Sequence, residues 1–387
     1  MLLLAACQGL FQTASVLVMT VGGLAGASLA ADPAIATAPV ASMFLGTAVA
    51  TFPASMWMAR VGRRPGFVLG ASAGSLGGVV AVLGLWAGTL WVLCLGAFLV
   101  GVYQAFAQFY RFAAGEVSDD AFRPKAISLV LAGGVVAALA GPLLGRWGVD
   151  ALAVPYAGSF AMLAALDAAA AIVLLALRVP RPTAAAVGEA AARPWREVVS
   201  QPAYLVALFG AATGYGIMIL AMTATPIAMV GHHHDLVAAS TVIQLHVLGM
   251  FLPSFFTGSL MARFGVLRIM LAGVCLLAGH VAMTATGLGF GSFASALVLL
   301  GIGWNFLYVG GTTLLTSTYR AAERGPAQAT NDMTIFVSDL ACSLGAGALL
   351  NWLGWQALNL ALLPWLLIAA VAIGWLNGKQ RSSPPSD

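Results

Sequence analysis

Few polar side chains interrupt the apolar runs of this chain, and those few fall in patterns. Gln104, Gln108 and Arg111 occupy positions i, i+4 and i+7, which on a helix makes one polar stripe ending in a cation. Such a stripe could bind an anionic or polar group on a ligand. Alternatively, Arg111 snorkels to an interface or pairs with Glu116 or Asp119. Gln8 and Gln12 also share a helical face, turned either to a ligand or to a neighbouring helix. Asn305, Tyr308 and Thr312 fall on one face beside Trp304. The amide can give and accept hydrogen bonds, and the rings can stack against a flat ligand. Tyr215 lies among Thr213, Thr223 and Thr225, with Pro226 expected to interrupt the helix. Asp167, Asp339, His246 and His280 lie within apolar runs, where burying an ionisable group is costly, so they are functional suspects. Asp167, Asp339 and His246 are the candidates for a group that takes up and releases a proton. For the two acids, the alternative is a paired, non-titrating contact between helices. Asp332 is expected to meet a loop, where Glu323 and Arg324 suggest a salt-bridge network.

The surroundings of these residues set their meaning. Of 387 residues, 61% are hydrophobic and 8% charged, and the mean hydropathy is +0.96. Soluble domains carry about 25% charge, so this composition belongs in a membrane. The runs are continuous rather than alternating, which points to helices and not a barrel. The net charge of +4 sits mostly in short turns, as an orientation signal rather than a nucleic-acid footprint. Cys7, Cys94, Cys275 and Cys342 lie in separate apolar runs, with no metal-binding spacing, and read as packing residues. The first segment lacks a basic leader and reads as a retained span. His232-His233-His234-Asp235 reads as a solvated loop; loose collection of a transition metal there stays open.

Twelve spans are expected, at 2–28, 38–58, 67–86, 90–113, 126–147, 152–177, 203–230, 237–260, 266–285, 290–317, 331–350 and 356–376. Turns after the even-numbered spans hold Arg60, Arg63 and Arg64, then Arg123 and Lys125, Arg178, Arg181, Arg193 and Arg196, Arg263, and Arg320 and Arg324. The tail adds Lys379 and Arg381. Turns after the odd spans hold Asp32, Asp150 and Asp235, with Arg146 nearby. This asymmetry puts both termini in the cytoplasm. The expected organisation is an N-terminal six-helix bundle over 1–177, a cytoplasmic linker over 178–200, a C-terminal six-helix bundle over 201–376 and a disordered cytoplasmic tail over 377–387.

The turn after the second span reads Met58-Ala59-Arg60-Val61-Gly62-Arg63-Arg64-Pro65-Gly66, and a weaker copy reads Met261-Ala262-Arg263-Phe264-Gly265-Val266-Leu267-Arg268. Tyr110-Arg111 leading to Arg123-Pro124 is matched by Tyr319-Arg320 leading to Gly325-Pro326. Two such pairs at matching places indicate two related halves. With the span count, these turns resemble the Major Facilitator Superfamily of secondary transporters. Arg60, Gly62, Arg63 and Arg64 match its signature turn, and Gly258, Arg263 and Gly265 match it in the second copy. Ser55 stands at the family's first Gly, and Ala59 and Ala262 stand where the family has the Asp that helps latch its cytoplasmic gate. Helix four lacks the Arg typical of drug/proton antiporters, so no subfamily is indicated.

The resemblance implies an all-α membrane protein of two pseudo-symmetric six-helix bundles around a cavity that opens alternately to each side. It implies a cavity lined by the first, fourth, seventh and tenth spans, hence by Gln8, Gln12, Gln104, Gln108, Arg111, Tyr215, Trp304, Asn305, Tyr308 and Thr312. Arg60, Gly62, Arg63, Arg64, Arg263 and Gly265 would form the cytoplasmic gate. The expected function is proton-coupled efflux of a small organic solute across the bacterial inner membrane, by a monomer in contact with membrane lipids and without a cofactor. Proton-coupled uptake of a sugar, organic acid or other metabolite is the alternative, and a non-transporting receptor or scaffold the remote one. No P-loop, zinc-protease or nucleophile-elbow motif is present, so neither ATP-driven transport nor an enzyme is expected.

Overall fold

The computed structural model describes residues 2–31, 35, 38–178 and 192–382. Among these, all regular structure is helical, as continuous apolar runs demand: only a helix satisfies its backbone from within its own segment in lipid. The helices are α1 (Leu2–Leu29), α2 (Ala38–Val61), α3 (Arg63–Trp86), α4 (Leu90–Ala107), α5 (Tyr110–Glu116), α6 (Arg123–Ala132), α7 (Gly134–Gly148) and α8 (Ala157–Leu175). After a short α9 (Trp195–Val199) come α10 (Pro202–Gly231), α11 (Leu236–Phe251), α12 (Ser254–Phe264), α13 (Val266–Ala285), α14 (Phe290–Thr316), α15 (Arg324–Leu360) and α16 (Leu363–Ser382).

Eleven helical stretches among the described residues are long and apolar enough to cross a membrane. The twelfth expected span, 331–350, lies inside α15 but is not one of them: Asn331, Asp332, Thr334, Ser338 and Asp339 dilute its apolarity. The backbone of α15 leaves helical geometry at Gly354 (φ 76, ψ 170), and the final helix starts at Leu363 rather than near Gln356. The chain beyond Asn377 does not fray at once, because α16 runs to Ser382. Most of the linker's middle, with Pro180, Arg181 and Pro182, lies outside the described residues, as do Asp32 and the last five residues.

One proline expectation also changes. Pro226 sits inside an unbroken α10. Spanning helices accommodate a proline when neighbouring groups take up the freed carbonyl. The break comes instead at Gln108–Phe109, between α4 and α5, where neither Gly nor Pro marks it.

The chain forms two compact units, each built from separate stretches. Unit 1 comprises Met1–Val117, Gly133–Ala191 and Ala321–Phe336; unit 2 comprises Ser118–Ala132, Ala192–Arg320 and Val337–Asp387. Within unit 1, α3 packs against α4 and α8, and α2 against α4. Leu17, Val18, Val21, Leu85, Leu93 and Phe160 belong to its buried apolar core. Within unit 2, α14 is central and packs against α10, α11 and α13, while α6 packs on α12.

Candidate functional site

Unit 1 holds a cluster of charges at the start of α3. Gly62 has φ 97, a conformation that L side chains rarely adopt, and it turns the chain between α2 and α3. That turn aims the Arg63 guanidinium inward, where it is 4% exposed. Arg63 ion-pairs with Glu116 and donates to Gln328 Oε1 at 2.6 Å. Arg324 reaches the same carboxylate at 3.2 Å, and Gln328 Nε2 donates to it at 3.2 Å. Glu116 is thus the carboxylate that meets both arginines at this turn, where Ala59 carries no charge. Ser55, at the place of the family's glycine, donates to Gly325 O at 2.9 Å. Of the other expected gate residues, Arg60 and Arg64 are exposed.

One turn deeper, Arg111 is 2% exposed and ion-pairs with Asp332 at 2.5 Å. It also donates to Gln108 O at 2.6 Å and Gln108 Oε1 at 3.0 Å. Snorkelling is therefore excluded, and the charge is matched inside the protein. The turn at Gln108–Phe109 lies inside the i, i+4, i+7 stripe, and both residues keep right-handed helical dihedrals, so Arg111 still reaches Gln108. Gln104 is buried and its Oε1 has no hydrogen-bond partner among the described residues. Gln8 is buried, and Gln12 is half-buried.

Asp167 of α8 is fully buried, and neither carboxylate oxygen has a partner among the described residues. It faces α3 at Gly74, where an added Cβ would lie 2.5 Å from Oδ2 and 2.6 Å from the Tyr103 ring. The Tyr103 and Tyr110 hydroxyls meet at 3.2 Å nearby in the same unit.

Unit 2 holds an aromatic wall. Trp304 and Tyr308 stack with centroids 5.0 Å apart and planes 23° apart. Tyr215 meets both rings edge-on at 5.2 and 4.8 Å. Phe251, which the sequence reading missed, closes on Trp304 at 5.7 Å. Trp304 is 1% exposed, and its Nε1 has no partner among the described residues. Tyr215 is the half-exposed member. Thr312 is buried one turn beyond Tyr308.

Asn305 points away from these rings in its bonding. It donates to Met250 O at 2.7 Å and Ser254 Oγ at 2.6 Å, and accepts from Thr257 Oγ1 at 2.7 Å. It binds α14 to the junction of α11 and α12, whose helical ladder is interrupted at Pro253. His246 is fully buried, with Nδ1 2.9 Å from Leu297 O and Nε2 unpartnered among the described residues. Asp339 is 3% exposed, with Oδ1 unpartnered among the described residues. Arg263 is exposed beside Gly265. No group of three His, Cys, Asp or Glu residues that could hold a metal occurs among the described residues, and the His232–His234 loop is largely exposed.

The sequence profile of the Major Facilitator Superfamily matches residues 1–338. The chain is 40% identical to the riboflavin transporter RfnT of Brucella anthropi, over 96% of this chain and 92% of that protein. It is 31% identical to an uncharacterized MFS-type transporter, YdeG, of Bacillus subtilis, over 93% of this chain and 88% of the relative. The structure resembles the E. coli fucose:proton symporter FucP with a TM-score of 0.72 at 11% identity, covering 96% of this chain and 97% of that one. It resembles a bacterial homologue of the iron transporter ferroportin with a TM-score of 0.71 at 15% identity, covering 97% and 98%. These structural likenesses speak for the fold. The protein belongs to the Major Facilitator Superfamily: it is a multi-pass carrier of the bacterial inner membrane that moves a small solute by alternating access, and not an enzyme.

Proposed function

We propose that this carrier takes up riboflavin, or a metabolite with a comparable flat heteroaromatic ring, in symport with protons. The observation that carries the reading is the 40% identity to a riboflavin transporter across nearly the whole of both chains. A nutrient metabolite fits uptake better than the efflux expected from the family's abundance of exporters. The aromatic wall of Tyr215, Trp304, Tyr308 and Phe251 gives the reading a physical basis. Tyr215, the half-exposed ring, is backed by buried Trp304 and Tyr308 and suits contact with an aromatic ligand; Trp304 Nε1, without a partner among the described residues, is a donor that such a ligand would reach only if the rings part. Gln8, Gln12, Gln104, Gln108 and Thr312 remain candidates for polar groups of the solute. Arg111 belongs with the gate rather than with the solute, since Asp332 already matches its charge.

The same proposal includes twelve spans with both termini cytoplasmic, α15 supplying the twelfth. The run of Lys and Arg at one side supports that orientation. Asp167, Asp339 and His246 are the proposed coupling groups, and Arg60, Gly62, Arg63, Arg64, Arg263 and Gly265 the gate turns.

The test is uptake of labelled riboflavin into proteoliposomes under an imposed inward proton gradient. Gradient-driven accumulation, reduced severalfold by Tyr215→Ala and abolished by an uncoupler, is expected. Saturable riboflavin exchange without any response to the gradient would keep the substrate and remove proton coupling. No riboflavin movement in either mode, with the fold intact, would overturn the substrate.

A further inference from the structure

We propose that the groove between the start of α3 and the end of α8 is a binding site for an anionic phospholipid. The groove encloses about 850 Å³ and lies within unit 1. Its polar end is formed by Arg63, Arg64 and Arg178, and its apolar walls include Val68, Leu69 and Leu175. The three arginines are not equivalent. Arg63 is buried and spent on Glu116 and Gln328. Arg64 and Arg178 are exposed, and neither has a hydrogen bond or ion pair among the described residues. Two cations unmatched among the described residues therefore face one end of the groove. The first residues of α3 line the same end, and its N-cap residue Gly62 offers their amides no side-chain acceptor.

The apolar end decides between a lipid and a free anion. Leu69 and Leu175 are 50% and 52% exposed, and both lie on helices of spanning length. A small anion held by the arginines would make no use of these leucines, which line the same groove as the cations. A phospholipid satisfies both ends at once, its phosphate on Arg64 and Arg178 and an acyl chain along Val68, Leu69 and Leu175. Basic pockets between spanning helices bind anionic headgroups in this way. A doubly charged diphosphatidylglycerol matches the pair of arginines best, with phosphatidylglycerol next.

The purified full-length protein in a neutral detergent gives the test, and it is independent of the transported solute and of which way the chain faces the membrane. Cardiolipin, phosphatidylglycerol, phosphatidylcholine and inorganic phosphate are titrated in turn, read by the unfolding midpoint and by mass spectrometry of intact complexes. Cardiolipin should raise the midpoint and remain bound, while phosphatidylcholine should do neither. The double variant Arg64→Gln/Arg178→Gln should bind cardiolipin roughly thirtyfold more weakly, about fivefold for each arginine. The double variant Arg268→Gln/Lys379→Gln removes the same charge from exposed positions in unit 2 and should bind as the native chain does. Should the first double variant fail to fold, the two single variants decide, each expected to lose about fivefold. Equal loss in both double variants would mean diffuse attraction and overturn the site. Stabilisation by inorganic phosphate equal to that by cardiolipin would reassign the groove to a free anion.

Discussion

The turn at Gly62 and the turn at Gly265 have nearly the same backbone: φ 97, ψ 167 against φ 91, ψ 147. Each ends one helix and starts the next, and each follows a Met-Ala-Arg-x sequence. Their chemistry differs. After Gly62 comes Arg63, buried and shared between Glu116 and Gln328. After Gly265 comes Val266, half-buried, and the nearby Arg263 lies exposed over the Phe264 ring at 5.2 Å. The neighbourhoods correspond as well. In unit 1, Ser55 of α2 bonds to Gly325 at the head of α15. In unit 2, Gly258 N of α12 donates to Ser128 Oγ of α6 at 3.1 Å, and Ser128 donates to Ser254 O. The backbone device is thus present twice, while the charges are concentrated in one copy. What repeats is the turn and its close helix packing; what differs is the buried cation that follows the glycine in the first turn and not in the second.

The largest expected effect comes from Asp332→Ala, which leaves Arg111 as a buried cation without its carboxylate. Losing one partner of a buried pair costs about 3–5 kcal/mol, so the unfolding midpoint in detergent should fall sharply. A loss under about 1 kcal/mol would mean that water reaches this charge. Next is the exchange of the two turns' residues. Arg63→Val should cost about 1–3 kcal/mol by stripping hydrogen bonds from Glu116 and Gln328. The reciprocal Val266→Arg should stay within about 0.5 kcal/mol, because it adds a cation at a half-exposed position. Similar costs for the two would show that the charges of the first turn do little. Gly62→Ala and Gly265→Ala should each cost about 1–3 kcal/mol, because both glycines sit at positive φ with extended ψ, a region essentially closed to other residues; a clear inequality would separate turns that share a backbone. The smallest effect is expected for Arg263→Ala, below about 0.5 kcal/mol by the same melt, since an exposed cation over one ring contributes little.

Much of this architecture is legible in the sequence because its signals are local. Run length places the spans, and the third expected segment differs from α3 only by the four residues from Arg63 to Gly66. Glycine between arginines places both turns. Contacts whose deciding partner is distant are not legible in this way. Arg111 finds Asp332 across 221 positions, and Asn305 is bound by Met250, Ser254 and Thr257, about 50 residues earlier. No spacing rule within a segment reveals either. The helix break at Gln108–Phe109 has no Gly or Pro to announce it, while Pro226 announces a break that α10 does not make. The aromatic wall was half visible: Trp304 and Tyr308 share a helix with adjacent turns, but Phe251 joins them only through packing.

The exchange of segments between the units bears on how the chain is made. Unit 1 includes Ala321–Phe336, and unit 2 includes Ser118–Ala132. Synthesis proceeds from the N-terminus, so α1 to α8 leave the ribosome well before Arg324, Gln328 and Asp332 exist. Until then Arg111 has no Asp332, and Arg63 has Glu116 but not Gln328. The first helices must therefore enter the bilayer with a guanidinium whose anion is not yet translated. A chain cut after the linker would keep that defect for good, and insertion machinery that shelters early spans would be the natural place for it to wait.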